Sequence, residues 1–111
     1  MNVNVQFRED GNVMRGYIEG EIDTFTAPVL RDELEAVQIV EGRRVELDLS
    51  KVNYIDSTGL GIFVAFYKKV TRENVPLRLV GLSSRLVRLF EITGLSELMS
   101  IETDAEVELK Q

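Results

Sequence analysis

Cysteine, histidine and tryptophan are absent from these 111 residues, and proline occurs only twice. Without cysteine there are no disulfide staples, thiol nucleophiles or iron–sulfur clusters. Without histidine as well, the usual zinc sites and every imidazole-based triad are excluded. Long apolar runs are also missing. Nothing approaches the ~20 residues that span a bilayer, and the opening MNVNVQFRED lacks the basic-then-apolar order of a secretory signal. A cytoplasmic location is therefore expected.

Basic residues are in the minority, thirteen Lys and Arg against nineteen Asp and Glu, for a net charge of −6. Such a balance disfavours general nucleic-acid binding, which needs a basic stripe to neutralise phosphates. The charge is uneven. Residues 1–41 hold nine acids and three bases, 42–96 five and nine, and 97–111 five and one. A basic middle section within an acidic chain suits a protein partner better than DNA or RNA. Hydrophobic residues make up 44% and charged residues 29%, the composition of one globular domain over residues 1–111.

Periodicity supplies the elements. Val3, Val5 and Phe7 alternate with polar residues, Asp10-Gly11-Asn12 is a turn, and a second strand runs from Val13 to Glu19, which together predict a hairpin. Gly20 to Thr24 reads as a loop entering a helix capped by Thr24 or Thr26, with Pro28 in its first turn and Glu41-Gly42 as its stop. Ala27, Leu30, Leu34 and Val37 share that helix's apolar face. Val45, Leu47 and Leu49 form a third strand. Leu60, Phe63, Val64, Tyr67 and Val70 mark a second helix, closed by Asn74 and Pro76. Leu77 to Val80 is a fourth strand, and Ser83 or Ser84 caps a third helix ending at Thr93-Gly94. A short strand near Met99 to Ile101 precedes an acidic tail with Glu102, Asp104, Glu106 and Glu108. Strand–helix–strand units require parallel, right-handed crossovers, so the expected fold is α/β: a small, mixed, mostly parallel sheet with an N-terminal hairpin, flanked by helices.

The stretch most suggestive of chemistry is Asp56-Ser57-Thr58-Gly59-Leu60-Gly61, between a strand and an apolar helix. Glycine in a first helical turn costs about 1 kcal/mol relative to alanine, so Gly59 and Gly61 call for a reason. In one reading Ser57 is the N-cap and both glycines let the helix approach the sheet. In the other, Ser57 is a phosphoacceptor: exposed, rigidly held, and next to free N–H groups and the positive end of the helix dipole. A phosphate there adds about −1.5 to −2 charge beside Asp56 and the neighbouring Asp23 and Glu21, which alters what can dock without unfolding the domain.

Other chemistries find less support. Asp48 or Asp56 as a phospho-accepting aspartate lacks the acidic pair that holds Mg²⁺. Asp23 and Asp56 as an acid/base pair lack a nucleophile activator, and Gly59-Leu60-Gly61 is too short for a nucleotide fingerprint. Asp-Ser before an apolar helix resembles acyl carrier proteins, but those are all-helical. Ser83-Ser84-Arg85 reads as a helix cap or a contact on a partner's rim.

Gly20-Glu21-Ile22-Asp23 with Ala27-Pro28, then Tyr54-Ile55-Asp56-Ser57-Thr58-Gly59-Leu60-Gly61, then Leu89-Phe90-Glu91-Ile92-Thr93-Gly94-Leu95, resembles the STAS domain of bacterial anti-sigma factor antagonists, particularly those of the general-stress sigma pathway. The resemblance spans nearly the whole chain. It implies a non-enzymatic switch with no cofactor or metal. The unphosphorylated form binds an anti-sigma factor that is also a GHKL-type serine kinase and so releases the sigma factor; phosphorylation of Ser57 ends binding, and a PP2C-type phosphatase restores it. The resemblance assigns Asp23, Thr24, Asp56, Thr58, Gly59, Leu60 and Gly61 to the docking surface, with neither nucleic acid nor membrane as a partner. STAS domains also occur in anion transporters and sensors, so a small-ligand or nucleotide-binding module is the alternative.

Overall fold

A computed structural model describes residues 2–103; the acidic residues Asp104, Glu106 and Glu108 lie outside them. Strands β1 (Val3–Asp10) and β2 (Val13–Ile22) pair antiparallel, and the turn between them carries Gly11 at φ +61°. Then follow α1 (Ala27–Ala36), β3 (Arg44–Ile55), α2 (Ser57–Arg72), β4 (Leu77–Leu82), α3 (Ser84–Ile92), one 3-10 turn (Leu95–Glu97) and β5 (Ser100–Thr103). The spatial order is the sequence order, β1-β2-β3-β4-β5, and β2 through β5 run parallel. Three parallel steps taken in one direction, each with the right-handed crossover that strand twist favours, put all three helices on the same face of the sheet.

The core lies between that face and the helices. Ile18, Ile22, Leu47, Leu49, Leu79 and Leu82 from the strands meet Leu30, Leu34, Phe63, Val70, Leu86 and Phe90 from the helices, all almost fully buried. Phe63 and Phe90 tilt against each other at 6.3 Å between ring centroids, within the favoured range for aromatic pairs. The opposite face of the sheet carries charge. Asp10, Arg15, Glu46, Arg78 and Glu102 form a chain of ion pairs that reaches from β1 to β5. Each pair contributes little by itself, but the chain keeps a one-sided sheet from exposing apolar surface.

β4 runs two residues past Val80 to Leu82 and β5 spans Ser100–Thr103; three other boundaries differ from the sequence reading for reasons the packing shows. β2 continues through Gly20 and Glu21 to Ile22 instead of ending in a loop. Gly20 makes this possible: it sits at φ +116°, and a Cβ there would come within 2.1 Å of the Asn2 carbonyl oxygen. β3 runs on to Ile55 through two register shifts against β2. Each inserts a residue, so the buried positions change from Val45, Leu47, Leu49 at a spacing of two to Val52 and Ile55 at a spacing of three.

α1 ends at Ala36, well before Glu41-Gly42. Its last carbonyls are taken by a side chain from the neighbouring helix: Lys69 Nζ donates to the carbonyls of Leu34 (3.1 Å), Glu35 (2.7 Å) and Val37 (2.8 Å). Val37 is already extended at ψ 128°. Burial lowers the Lys69 pKa from its ordinary 10.5, opposed by the nearby Glu35 carboxylate. Lys69→Met leaves these carbonyls without the ammonium donor. It is expected to lower unfolding stability in urea by about 2 kcal/mol; a loss under about 0.5 kcal/mol would show that the three bonds contribute nothing net.

Candidate functional site

In a parallel sheet the loops that follow the strands gather at one edge. Here Ile22 and Ile55, the last residues of β2 and β3, are register partners, and the Asp56 N–H donates to the Ile22 carbonyl at 3.1 Å. The loop before α1 and the start of α2 are thereby fastened side by side.

The N-cap of α2 is Asp56, not Ser57. The Asp56 carboxylate accepts from the Gly59 N–H at 3.0 Å, while its backbone stays extended at φ −100°, ψ −175°. A carboxylate reaches the third N–H of the helix and also complements the dipole, so Ser57 becomes the first helical residue and its hydroxyl is free of the capping role. Ser57 and Thr58 are both exposed, and Asp56 is half-buried.

The two glycines have different reasons. A Cβ at Gly59 would lie 2.6 Å from Ile22 Cγ2 and 2.9 Å from Ile55 Cγ2, so the helix seats on the sheet only if that position is glycine. At Gly61 a Cβ would meet nothing within 4 Å, and the position is exposed. Close packing, expected for both, holds for Gly59 alone. Leu60 is 6% exposed and joins the core. Of the residues the resemblance assigns to docking, Gly59 and Leu60 thus face inward, whereas Thr24, Thr58 and Gly61 lie open to a partner beside the half-buried Asp23 and Asp56.

The loop of residues 23–26 is a closed hydrogen-bonded unit. Asp23 Oδ1 accepts from the N–H groups of Phe25 and Thr26, both at 2.9 Å. Thr26 Oγ1 donates to the Glu21 carbonyl at 2.7 Å and accepts from the Asp23 N–H at 2.9 Å, and the Ala27 N–H donates to the Asp23 carbonyl at 2.8 Å. Thr26 occupies the N-cap position of α1 but makes no side-chain cap bond, and Thr24 is exposed. Asp23 orders this turn where a threonine cap was expected. The turn also turns one apolar side chain outward, Phe25, which the sequence reading passed over. An aromatic residue between Asp23-Thr24 and Thr26-Ala27-Pro28, at a position that continues no apolar period, was the signal available.

The hydrogen bond from Thr26 N–H is the main cause holding the Asp23 carboxyl below its ordinary 3.8, helped by Phe25 N–H and opposed by partial desolvation. Among the described residues, Glu21, Asp23 and Asp56 enter no ion pair, so this edge is acidic. No cluster of three or more metal-ligating side chains occurs among them either.

These features lead to two expectations. Gly59→Ala should destabilise the chain by about 1–3 kcal/mol through overpacking, while Gly61→Ala should stabilise it by up to about 1 kcal/mol through helix propensity; equal effects in thermal unfolding would contradict the assignment of the glycines. Because the Asp23 pKa is lowered in the folded state, the stability its turn contributes is complete above the unfolded value near 4 and is lost as pH falls through the lowered one. An Asp23 midpoint at or above 3.8 in a carboxyl NMR titration would contradict that sign.

The STAS domain model matches residues 4–108. The anti-sigma-B factor antagonist of Listeria monocytogenes is 45% identical over 103 residues, covering 92% of this chain and 90% of that protein. Among solved structures, an anti-sigma factor antagonist from Mycobacterium paratuberculosis superposes with a TM-score of 0.79 at 28% identity, covering 90% of this chain and 85% of that one. SpoIIAA of Bacillus, solved in its phosphorylated form, shares the fold with a TM-score of 0.66 at 17% identity, covering 96% and 98%. The edge that carries Ser57 is therefore part of a STAS domain, and the chain belongs to the family of anti-sigma factor antagonists.

Proposed function

We propose that this chain releases a sigma factor by binding its anti-sigma factor, and that phosphorylation of Ser57 ends the binding. The observation that carries this reading is the exposed hydroxyl of Ser57 at the first position of α2, beside an Asp56 carboxylate already bonded to the Gly59 N–H. The anti-sigma factor is a serine kinase of the GHKL type. Ser57 Oγ takes the γ-phosphoryl group of ATP, the hydroxyl proton goes to a base of the kinase, and ADP leaves. A PP2C-type phosphatase returns the hydroxyl by hydrolysing the ester to inorganic phosphate. The chain itself acts as a substrate and binding module, not as a catalyst. The reading implies a cytoplasmic protein; no described helix is long and apolar enough to cross a membrane.

The physical basis of the switch is the cost of desolvating an added charge on a rigid surface. With the Gly59 N–H engaged by Asp56, the phosphate enters an edge that already holds Asp23, Asp56 and Glu21, none of them in an ion pair among the described residues. A further −1.5 to −2 or so of charge must then be desolvated against a surface built for the uncharged hydroxyl. Mismatched charge at an interface costs several kcal/mol, while the solvent-facing phosphate leaves the core untouched. The named role of the Listeria relative supports this reading. The phosphorylated SpoIIAA structure is consistent with it, since that protein shares the fold.

Ser57→Asp is expected to weaken binding to the cognate anti-sigma factor at least 100-fold, about 2.8 kcal/mol, with an unchanged unfolding midpoint. Ser57→Ala should bind like the wild type and gain no mass on incubation with the kinase and ATP. Equal affinity of wild type and Ser57→Asp contradicts the switch, and one added phosphate on Ser57→Ala moves the acceptor to Thr58. Gly61→Ala, the more stable variant in isolation, should bind the partner more weakly, because its methyl occupies surface the partner approaches. Unchanged affinity would remove Gly61 from the interface.

A further inference from the structure

We infer that Phe25 is the apolar anchor of this docking edge, a specificity residue that inserts into an apolar pocket on the anti-sigma factor. The inference rests on the partner-switching reading and adds a residue to it. Phe25 is 84% exposed, more than the other large exposed apolar side chains, Ile92 and Leu98 among them. Single exposed apolar residues are common on protein surfaces, so exposure alone decides nothing. Two further observations set Phe25 apart.

The first is rigidity. The Phe25 N–H is bonded to Asp23 Oδ1, and its neighbour Thr26 is 5% exposed, with its hydroxyl bonded on both sides. A loop with this many internal bonds fixes the backbone from which the ring projects, so little conformational entropy remains to be lost on docking. The second is position. The Asp56–Ile22 bond fastens the loop to the start of α2, so the ring belongs to the same edge as Ser57. Val29, in the first turn of α1, is also exposed, at 51%. A rigid, exposed aromatic side chain that fills an apolar pocket is a common form of energetic hot spot.

The anchor and the switch then divide the work. Phe25 supplies affinity in both phosphorylation states, and the Ser57 phosphate opposes it. The test is binding of the cognate anti-sigma factor to wild type, Ser57→Ala, Phe25→Ala and Phe25→Leu, with thermal midpoints recorded for each. Phe25→Ala should bind at least tenfold more weakly at an unchanged midpoint, while Phe25→Leu, which keeps an apolar side chain, recovers most of the affinity. In the kinase reaction Phe25→Ala should raise KM and leave kcat within about twofold, a split that a merely structural role would not produce. Binding of Phe25→Ala within twofold of wild type overturns the anchor while leaving the switch in place. Failure of both wild type and Ser57→Ala to bind overturns the partner reading and this inference with it. Self-association of the wild type that Phe25→Ala abolishes would assign the ring to a second copy of this chain and overturn it as well.

Discussion

The arrangement of the docking edge depends on how α2 sits over the ends of β2 and β3. The Asp56 N–H closes onto the Ile22 carbonyl, the Ile22 and Ile55 side chains press against the helix, and Gly59 gives them the space of a missing methyl. With that seat fixed, the first residue of α2 has one orientation available. Ser57 then faces solvent because the opposite side of the same turn, Gly59 and Leu60, is fully committed to the core. The exposure of the hydroxyl is thus a consequence of packing and not a separate design.

Under the proposed switch, rigidity lets a small covalent change act on whatever docks at this edge. A phosphate on a mobile loop could turn away from its neighbours. Here the carboxylates of Asp23 and Asp56 are each occupied in holding backbone N–H groups, so neither can readily retreat without giving up a turn or a helix cap. The added charge is felt by whatever docks. Lys69 contributes at a distance by tying the far end of α1 to α2, the two helices whose N-terminal ends form the edge. Gly61 shows the opposite balance. It gives up about 1 kcal/mol of helix propensity where no packing demands it, which fits a surface shaped for another molecule.

Much of the fold was legible in the residues. Alternation marked β1, the start of β2, the first half of β3 and β4, and the three amphipathic helices followed from apolar spacing. The parallel order came from crossover length. Irregular strands hid the rest: Gly20 in the left-handed region looked like the end of β2, and the two extra residues in β3 broke the period of two just before the site. The end of α1 was misplaced because its stop comes from Lys69, more than thirty residues away, and not from a local breaker. At the site, the Asp-Ser pair and the glycines were visible. The division of labour between them was not, because which of two adjacent residues caps a helix depends on side-chain reach. Phe25 was missed because an outward-facing aromatic follows no periodic pattern.

In the proposed switch, charge added to a rigid surface, not a change of fold, ends docking. The direct measurement is amide hydrogen exchange across α2 and the loop of residues 23–26, taken on the same chain before and after stoichiometric phosphorylation, in parallel with affinity for the anti-sigma factor. Affinity should be lost while the protection of α2 stays the same. Loss of protection along α2 on phosphorylation, or full affinity retained by the phosphorylated chain, would contradict it.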